Sequence, residues 1–231
     1  MKIPAFMLSC ISRFLKGEPN VTFHRRQFLI RAGAGLMAAG ALAALPAAAF
    51  ADDKVDLAEL MKPGPLGDQA LGDPKAPHTV VEYASLTCTH CKHFHDETWK
   101  LFKEKYIDTG KVYFVLRDFP LDNVALAGFM LAHAAPNNNF FPMVDLLFDQ
   151  QDKWAFVDDP VSALEALSKQ VGFTQETFEL ALKNQALLSA VTAVKTRGAE
   201  KFGVDATPTF FVDGVKKPGA LSLDDLDKLL S

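Results

Sequence analysis

The sequence predicts an α/β fold into which a region made only of helices is inserted. Two apolar, β-branched runs, residues 79–86 and 111–120, flank an amphipathic stretch, which is typical of a strand–helix–strand unit with a parallel sheet. Residues 121–198 then show helical periodicity and no strand pattern. A hairpin signal and one more amphipathic stretch complete the chain.

The first 51 residues have the pattern of an export signal. Arg25 and Arg26 precede an apolar run of Ala, Gly and Leu, which ends in the small-x-small sequence of residues 49–51. The arginine pair resembles a twin-arginine signal. We expect an export signal peptide over residues 1–51, cleaved after Ala51. The alternative is an uncleaved membrane anchor, because the run is about as long as a membrane span.

Composition narrows the class of protein. The 180 residues that would remain after cleavage are enough for one domain with a full core. They carry 18 basic and 27 acidic side chains, which argues against nucleic acid as a partner.

The elements of the remaining chain follow in order. Residues 52–77 form an N-terminal extension, of which we expect residues 56–77 to be irregular because residues 62–77 contain four prolines and three glycines. The run of residues 79–86, TVVEYASL, predicts a strand buried on both faces. A helix should follow it and end near Gly110, with one apolar face formed by Cys91, Phe94, Thr98, Leu101 and Phe102.

The second half contains clear boundary signals. Asp159 before Pro160, and Thr174 before Glu176 and Thr177, predict helix starts within the insertion at about 121–198. Asp213-Gly214 between apolar runs predicts a hairpin. Ser222 with Asp225 predicts the start of the last helix by a capping arrangement. We expect the whole domain to occupy residues 78–231.

The cysteine pair indicates a reactive or metal-binding site rather than a structural disulfide. The chain has Cys10, which lies in the expected signal, and the pair Cys88 and Cys91. A disulfide between residues three apart closes almost no loop and stabilises a fold little. The spacing suits a redox dithiol. With three histidines nearby it also suits a metal site.

A metal site at this position would be incomplete. His93 lies on the opposite side of a regular helix from Cys91. The available ligands would therefore be Cys88, Cys91 and one histidine, either His90 or His95. Such a set suits Cu(I) or adventitious zinc better than a structural tetrahedral site. A copper- or zinc-binding module stays open as an alternative.

The redox interpretation has a physical basis. Cys88 precedes the helix, where unpaired backbone N–H groups and the helix dipole favour an anion and lower a thiol pKa. His90 can add a positive charge or a hydrogen bond. Cys91, one turn further, would be the more buried, resolving thiol. A stabilised thiolate implies an oxidising disulfide.

Several features together resemble the DsbA family of thioredoxin-fold thiol–disulfide oxidoreductases. They are the C-T-H-C sequence of residues 88–91 after a buried strand, the helical insertion, and Thr207-Pro208 before the hairpin. The resemblance implies an α/β, thioredoxin-like fold with an inserted all-helical subdomain. Two departures are Thr89, where close relatives often have proline, and the absence of a second cysteine pair from the insertion.

The resemblance also implies roles for individual residues. Cys88 and Cys91 would form a redox-active disulfide, and Pro208 would be cis and pack against it. The backbone of Thr207 would then be free to pair with substrate. Glu82 would assist proton transfer at the buried cysteine; the alternative is an ion pair between Glu82 and Arg117 at the sheet end.

The same resemblance implies a periplasmic enzyme that introduces disulfides into exported proteins. Its substrates would be unfolded or reduced exported proteins, and a membrane thiol oxidase of the DsbB type would reoxidise it. No cofactor is expected. A disulfide isomerase or reductase of the same fold is the alternative within this chemistry.

Overall fold

A mixed sheet of five strands forms the centre of the fold in the computed structural model, which describes residues 54–231. The strand order is β1-β3-β2-β4-β5, and only β2 and β3 are parallel. The strands are β1 (Gln69–Leu71), β2 (His78–Ala84), β3 (Val112–Asp118), β4 (Thr209–Val212) and β5 (Val215–Pro218). The export signal expected in residues 1–51 lies outside the described residues.

Helices cover the sheet. They are α1 (Leu57–Leu60), α2 (four consecutive segments, Thr89–Phe94, His95–Trp99, Lys100–Phe102 and Lys103–Ile107), α3 (Asn123–Ala134), α4 (Phe140–Asp149), α5 (Pro160–Ser168), α6 (Gln175–Lys183), α7 (Gln185–Phe202) and α8 (Leu223–Leu229). The stretch between β3 and β4 contains helices and no strand, which confirms the predicted fold class. None of the helices in residues 54–231 is long and apolar enough to cross a membrane.

Strand β2 is buried on both faces, as its sequence predicts. Val80 and Ala84 pack into the larger apolar core, which also contains both cysteines. Val81 and Tyr83 pack into a second core on the other side of the sheet. Because side chains alternate along a strand, Glu82 shares the face of Val80 and Ala84.

Helix α2 departs from the regular geometry that its sequence suggests. The segments His95–Trp99 and Lys103–Ile107 are π-helical turns. Each π turn contains an extra residue relative to an α turn, so it rotates the side chains that follow. Phe102 is fully buried, whereas Leu101 is 50% exposed. The prediction that Leu101 lies on the buried face is therefore wrong.

The expectation that residues 56–77 are irregular is wrong in two places. Asp56 accepts a hydrogen bond from the N–H of Ala58 at 2.8 Å and begins α1. Strand β1 pairs antiparallel with the outer edge of β3, and this pairing outweighs the poor strand propensity around it. At Gly72, after β1, φ is +90° and a Cβ would lie 2.4 Å from the carbonyl oxygen of Val112, so glycine is required there.

The predicted boundary signals are confirmed. Asp213 and Gly214 both have positive φ, 49° and 84°, and join β4 to β5. Ser222 and Asp225 form a reciprocal capping box at the start of α8. Thr174 and Asp159 cap α6 and α5 in the same way that their sequences suggest.

Candidate active site

The loop after β2 places Cys88 at the start of α2. The N–H of Cys88 donates to the carbonyl of Ser85 at 3.1 Å, and Cys88 occupies the N-cap position with extended backbone. Thr87 donates a hydrogen bond to the Asp122 carboxylate at 2.7 Å, which ties the loop to the start of α3. The free N–H groups of the first turn therefore lie next to the Cys88 side chain.

Gln151 holds the same loop from the helical insertion. Its amide nitrogen donates to the carbonyls of Leu86 at 2.8 Å and Cys88 at 3.1 Å. The side chain is fully buried, and its amide oxygen has no hydrogen-bond partner among the described residues. The sequence contains no signal for this contact, because a glutamine in a polar stretch between helices is typical of a surface residue.

Both cysteines are present as free thiols in this structure. Cys88 is 8% exposed and Cys91 is 1% exposed, so Cys88 is the more accessible of the two. In its protonated form, the Cys88 thiol donates to the carbonyl of Thr207 at 3.2 Å. The disulfide between Cys88 and Cys91 stays a prediction for the oxidised protein.

The two thiols differ sharply in acidity. A hydrogen bond from the Cys91 thiol, the Thr207 hydroxyl and the backbone N–H groups of Cys91 and His90 together lower the pKa of Cys88 to about 5, although burial opposes them. Burial, followed by the hydrogen bond to Cys88 and the charge of Glu82, raises the pKa of Cys91 well above its ordinary value. Cys88 is therefore a thiolate at neutral pH and Cys91 a thiol.

The peptide bond between Thr207 and Pro208 is cis, as the resemblance implies. The Thr207 carbonyl faces the Cys88 sulfur. The Thr207 hydroxyl is buried and has no hydrogen-bond partner of normal geometry among the described residues, so it is available to the Cys88 thiolate, whose pKa it lowers. The structure thus brings Thr207 and Pro208 next to the dithiol.

Glu82 lies beneath the dithiol and is 5% exposed. Burial, followed by the negative charge of Cys88, raises the pKa of Glu82 to about 8. The alternative ion pair with Arg117 is wrong, because Arg117 pairs with Tyr83 in the strand register and shares its face of the sheet. Arg117 instead lies 2.8 Å from Asp68 on that opposite face.

The three histidines of the motif do not converge on the sulfurs. His90 and His93 are exposed, and the contribution of His90 to the Cys88 pKa comes from its backbone N–H. His95 is directed at Asp145 and Asp149, at 3.8 and 3.5 Å. Within residues 54–231, no three His, Cys, Asp or Glu side chains are grouped so that they could hold a metal ion.

Comparison with known proteins gives a consistent result. A family model described as thioredoxin matches residues 66–231. A Rickettsia prowazekii protein, named as a protein-disulfide oxidoreductase, is 32% identical over 162 residues, which are 70% of this chain and 59% of that protein. The chain thus spans about three fifths of the length of that relative.

Two crystal structures of Wolbachia pipientis alpha-DsbA1 are also similar. The unmodified protein is 32% identical with a TM-score of 0.69, covering 74% of this chain and 92% of that chain. A variant of it in which two cysteines are replaced by alanine is 33% identical with a TM-score of 0.67, covering 71% of this chain and 88% of that chain.

Proposed function

The chain belongs to the DsbA family of thioredoxin-fold proteins, and from that premise we propose that it introduces disulfide bonds into exported proteins through Cys88 and Cys91. The observation that carries this proposal is the contrast between the thiols. Cys88 is acidic, with a pKa of about 5, and Cys91 is not. A stabilised Cys88 thiolate favours the reduced protein and makes the disulfide form an oxidant.

The reaction proceeds by two thiolate attacks. A substrate thiolate attacks the Cys88 sulfur of the oxidised protein, the bond between the two protein sulfurs breaks, and Cys91 leaves as a thiolate that takes up a proton. A second substrate thiolate then attacks the substrate sulfur of this mixed disulfide. It releases the substrate disulfide and the Cys88 thiolate, so two electrons have passed to the protein.

Trapping the mixed disulfide tests this order of attack. Cys91→Ser removes the resolving thiol, so adducts on Cys88 should accumulate in cells as reducible species of higher mass. Cys88→Ser should trap far less, because Cys91 is 1% exposed and its pKa is raised. Equal trapping by both variants would contradict the assigned roles. A copper or zinc module would instead lose metal affinity similarly in both variants and form no adducts.

An isomerase or reductase of the same fold would use the same two thiols. Equilibration of the Cys88–Cys91 pair with reduced and oxidised glutathione separates these functions. A strongly oxidising value supports the oxidase, and a strongly reducing value supports the reductase.

We place this activity in the periplasm, with unfolded or reduced exported proteins as substrates and a membrane thiol oxidase of the DsbB type as the reoxidising partner. Support comes from the signal pattern in residues 1–51 and from the family. Replacement of Arg25 and Arg26 by lysine keeps the charge but removes the arginine pair. Export should then fail, whereas undiminished export would indicate the general secretory route.

A further inference from the structure

A small cavity lies beside the dithiol, bounded by the sheet and by α2 and α4. Its volume is about 20 Å³, which is room for one water molecule. Its wall includes Glu82 and Cys91 and also His95 and Asp145. The rest of the wall is mainly apolar, with aromatic side chains from Phe94, Trp99, Phe114, Phe141 and Phe148. Four groups that can bind or release a proton therefore share one space.

These four groups span the distance from the core to the solvent. Cys91 and Glu82 are 1% and 5% exposed. The His95 side chain is 10% exposed, and the Asp145 side chain is 44% exposed. A proton that reaches Asp145 can therefore exchange directly with bulk water, whereas a proton on Glu82 cannot.

His95 is held in place at the wall of the cavity. Its Nε2 lies 3.8 Å from Asp145 and 3.5 Å from Asp149, both on α4. The ring packs against Phe148, with centroids 5.0 Å apart. Burial lowers the pKa of His95, although Asp149 and Asp96 oppose this, and Lys92 lowers it further. The imidazole is therefore neutral at neutral pH, with one ring nitrogen free to accept a proton.

The Asp145 carboxyl can also gain and lose a proton near neutral pH. Burial is the largest influence and raises the pKa of Asp145 to about 6. The hydrogen bond from Trp99 and the charge of Lys103 lower this pKa, and the negative charge of Asp149 raises it. The π-helical turn of α2 begins at His95 and includes Trp99, and such turns are frequent at functional sites. The side chains of His95 and Trp99, both in this turn, therefore lie against the Asp145 carboxylate.

The proposed reaction needs groups that carry protons between Glu82 and solvent. When Cys91 leaves as a thiolate it takes a proton from the protonated Glu82, and before Cys91 attacks a mixed disulfide it gives its proton to a Glu82 carboxylate that has already released its own. Either transfer changes the protonation of Glu82, whose charged form is costly in the core. Glu82 must therefore exchange a proton with solvent once in each half-reaction.

We propose that His95 and Asp145 form the solvent end of a proton relay, in which one water molecule in the cavity connects them to Glu82. During oxidation of the dithiol, Glu82 first releases its proton through the water to His95 and Asp145 and so to the bulk, and the Glu82 carboxylate then accepts the proton of Cys91. During reduction the protons travel in the reverse direction. This inference rests on the proposed function, since it assigns the path of the proton for the same two thiols.

The decay of a mixed disulfide isolates this step. Reduced protein is mixed with oxidised glutathione, and mass spectrometry after acid quenching follows first the glutathione adduct on Cys88 and then its conversion to the internal disulfide. The second step is unimolecular and requires deprotonation of Cys91. It is measured from pH 5 to 9, in water and in D2O, for the wild type and for Glu82→Gln, His95→Gln, Asp145→Asn and His93→Gln.

Glu82→Gln should slow the second step by about 100-fold, the usual lower bound for loss of a general base. His95→Gln and Asp145→Asn should slow it about tenfold and enlarge the solvent isotope effect, because proton exchange with bulk becomes limiting. Adding either change to Glu82→Gln should cost nothing further, since the relay acts through Glu82. His93→Gln, an exposed histidine on the same helix, should match the wild type.

Several outcomes would overturn the relay. They are wild-type rates in His95→Gln and Asp145→Asn, a slowing without a larger isotope effect, or a slowing that adds to that of Glu82→Gln. Asp145→Asn changes a half-exposed side chain, so a folded variant is expected even if His95→Gln is unstable. Failure of the proposed function looks different, because the wild type itself would then form the glutathione adduct no faster than an ordinary thiol.

Discussion

Glu82 and Arg117 are buried on opposite faces of the central sheet, and of these two residues only Arg117 has an ion-pair partner in residues 54–231. On the dithiol face, Glu82 is 5% exposed, and no ion pair to it occurs in residues 54–231. On the opposite face, Arg117 is 4% exposed and lies 2.8 Å from Asp68. The two residues come from neighbouring strands, β2 and β3.

The difference shows that an ion-pair partner determines whether a buried ionisable side chain keeps its charge or can exchange a proton near neutral pH. Arg117 is paired with Asp68 and also contacts the carbonyl of Leu60 at 3.4 Å, so it ties the N-terminal segment to the sheet. No cation among the described residues pairs with Glu82, so it is mainly protonated at neutral pH, with a pKa of about 8. An unpaired acid can exchange a proton at a pH where a paired one cannot, which suits Glu82 for chemistry and Arg117 for structure.

The largest effect on stability should come from removing Asp68, the ion-pair partner of Arg117. Asp68→Ala leaves the Arg117 charge buried without its partner, and we expect a loss of roughly 3–5 kcal/mol in the free energy of unfolding. Urea denaturation measures it. Lys183→Ala, which breaks an exposed pair with Glu179, is the control and should cost less than about 0.5 kcal/mol.

The double variant Asp68→Ala with Arg117→Leu should recover much of the loss. Burial raises the pKa of Asp68 in spite of the Arg117 charge, so the pair gains little over an apolar replacement. If Asp68→Ala is as stable as the wild type, the contrast between the two faces fails.

On the dithiol face, removing the ionisable group of Glu82 should raise the free energy of unfolding rather than lower it. The folded protein holds a proton on Glu82 up to a pKa of about 8, whereas the ordinary value is 4.5, so the contribution of Glu82 to stability falls as pH rises between these values. Glu82→Gln cannot titrate and should be more stable than the wild type by roughly 2–4 kcal/mol at pH 8. The gain should shrink towards zero near pH 4.5.

Denaturation of both proteins across pH 4.5–8, each with the dithiol reduced, measures this difference. The contribution of Cys88 is largely common to both and cancels in the comparison. A constant difference across the range would show that Glu82 does not titrate there.

Much of this contrast could be predicted from the sequence, because it depends on local pattern. A carboxylate in the apolar run of residues 79–86 identifies Glu82 as buried, and the C-x-x-C spacing before a helix identifies the acidic thiol. The hairpin at Asp213-Gly214 and the cap at Ser222 also depend only on neighbouring residues.

The features that could not be predicted depend on contacts between distant parts of the chain. Asp68 lies in a segment rich in proline and glycine, and only the pairing of β1 with β3 brings it to Arg117. Gln151 reaches Cys88 from 63 residues away. The π turns of α2, which turn Leu101 outward, depend on packing that helical periodicity does not encode.

A smaller effect is expected at Thr207, on the dithiol face. Thr207→Val removes the hydroxyl that stabilises the Cys88 thiolate but keeps the backbone carbonyl. Loss of one hydrogen bond to a charged group should raise the Cys88 pKa from about 5 by about 1–2 units. Thiolate absorbance at about 240 nm, titrated against pH, measures it, since the thiolate absorbs and the thiol does not.

The control is Thr209→Val. The Thr209 hydroxyl donates to the carbonyl of Ala206 at 2.7 Å and does not contribute to the Cys88 pKa. An equal shift in both variants would mean that packing at the Thr207–Pro208 turn, rather than the hydroxyl, controls the thiolate.

The smallest effect should come from His90, although the sequence makes it an obvious candidate. Its backbone N–H helps to lower the Cys88 pKa, and alanine retains that group. The imidazole is exposed, so its charge is screened by water and salt. His90→Ala should therefore raise the Cys88 pKa by less than about 0.5 unit, similar to His93→Ala on the same helix. A rise of one unit or more that disappears at high salt would instead assign the stabilisation to the imidazolium charge. In that case the surface, and not only the helix start and Thr207, would set the acidity of Cys88.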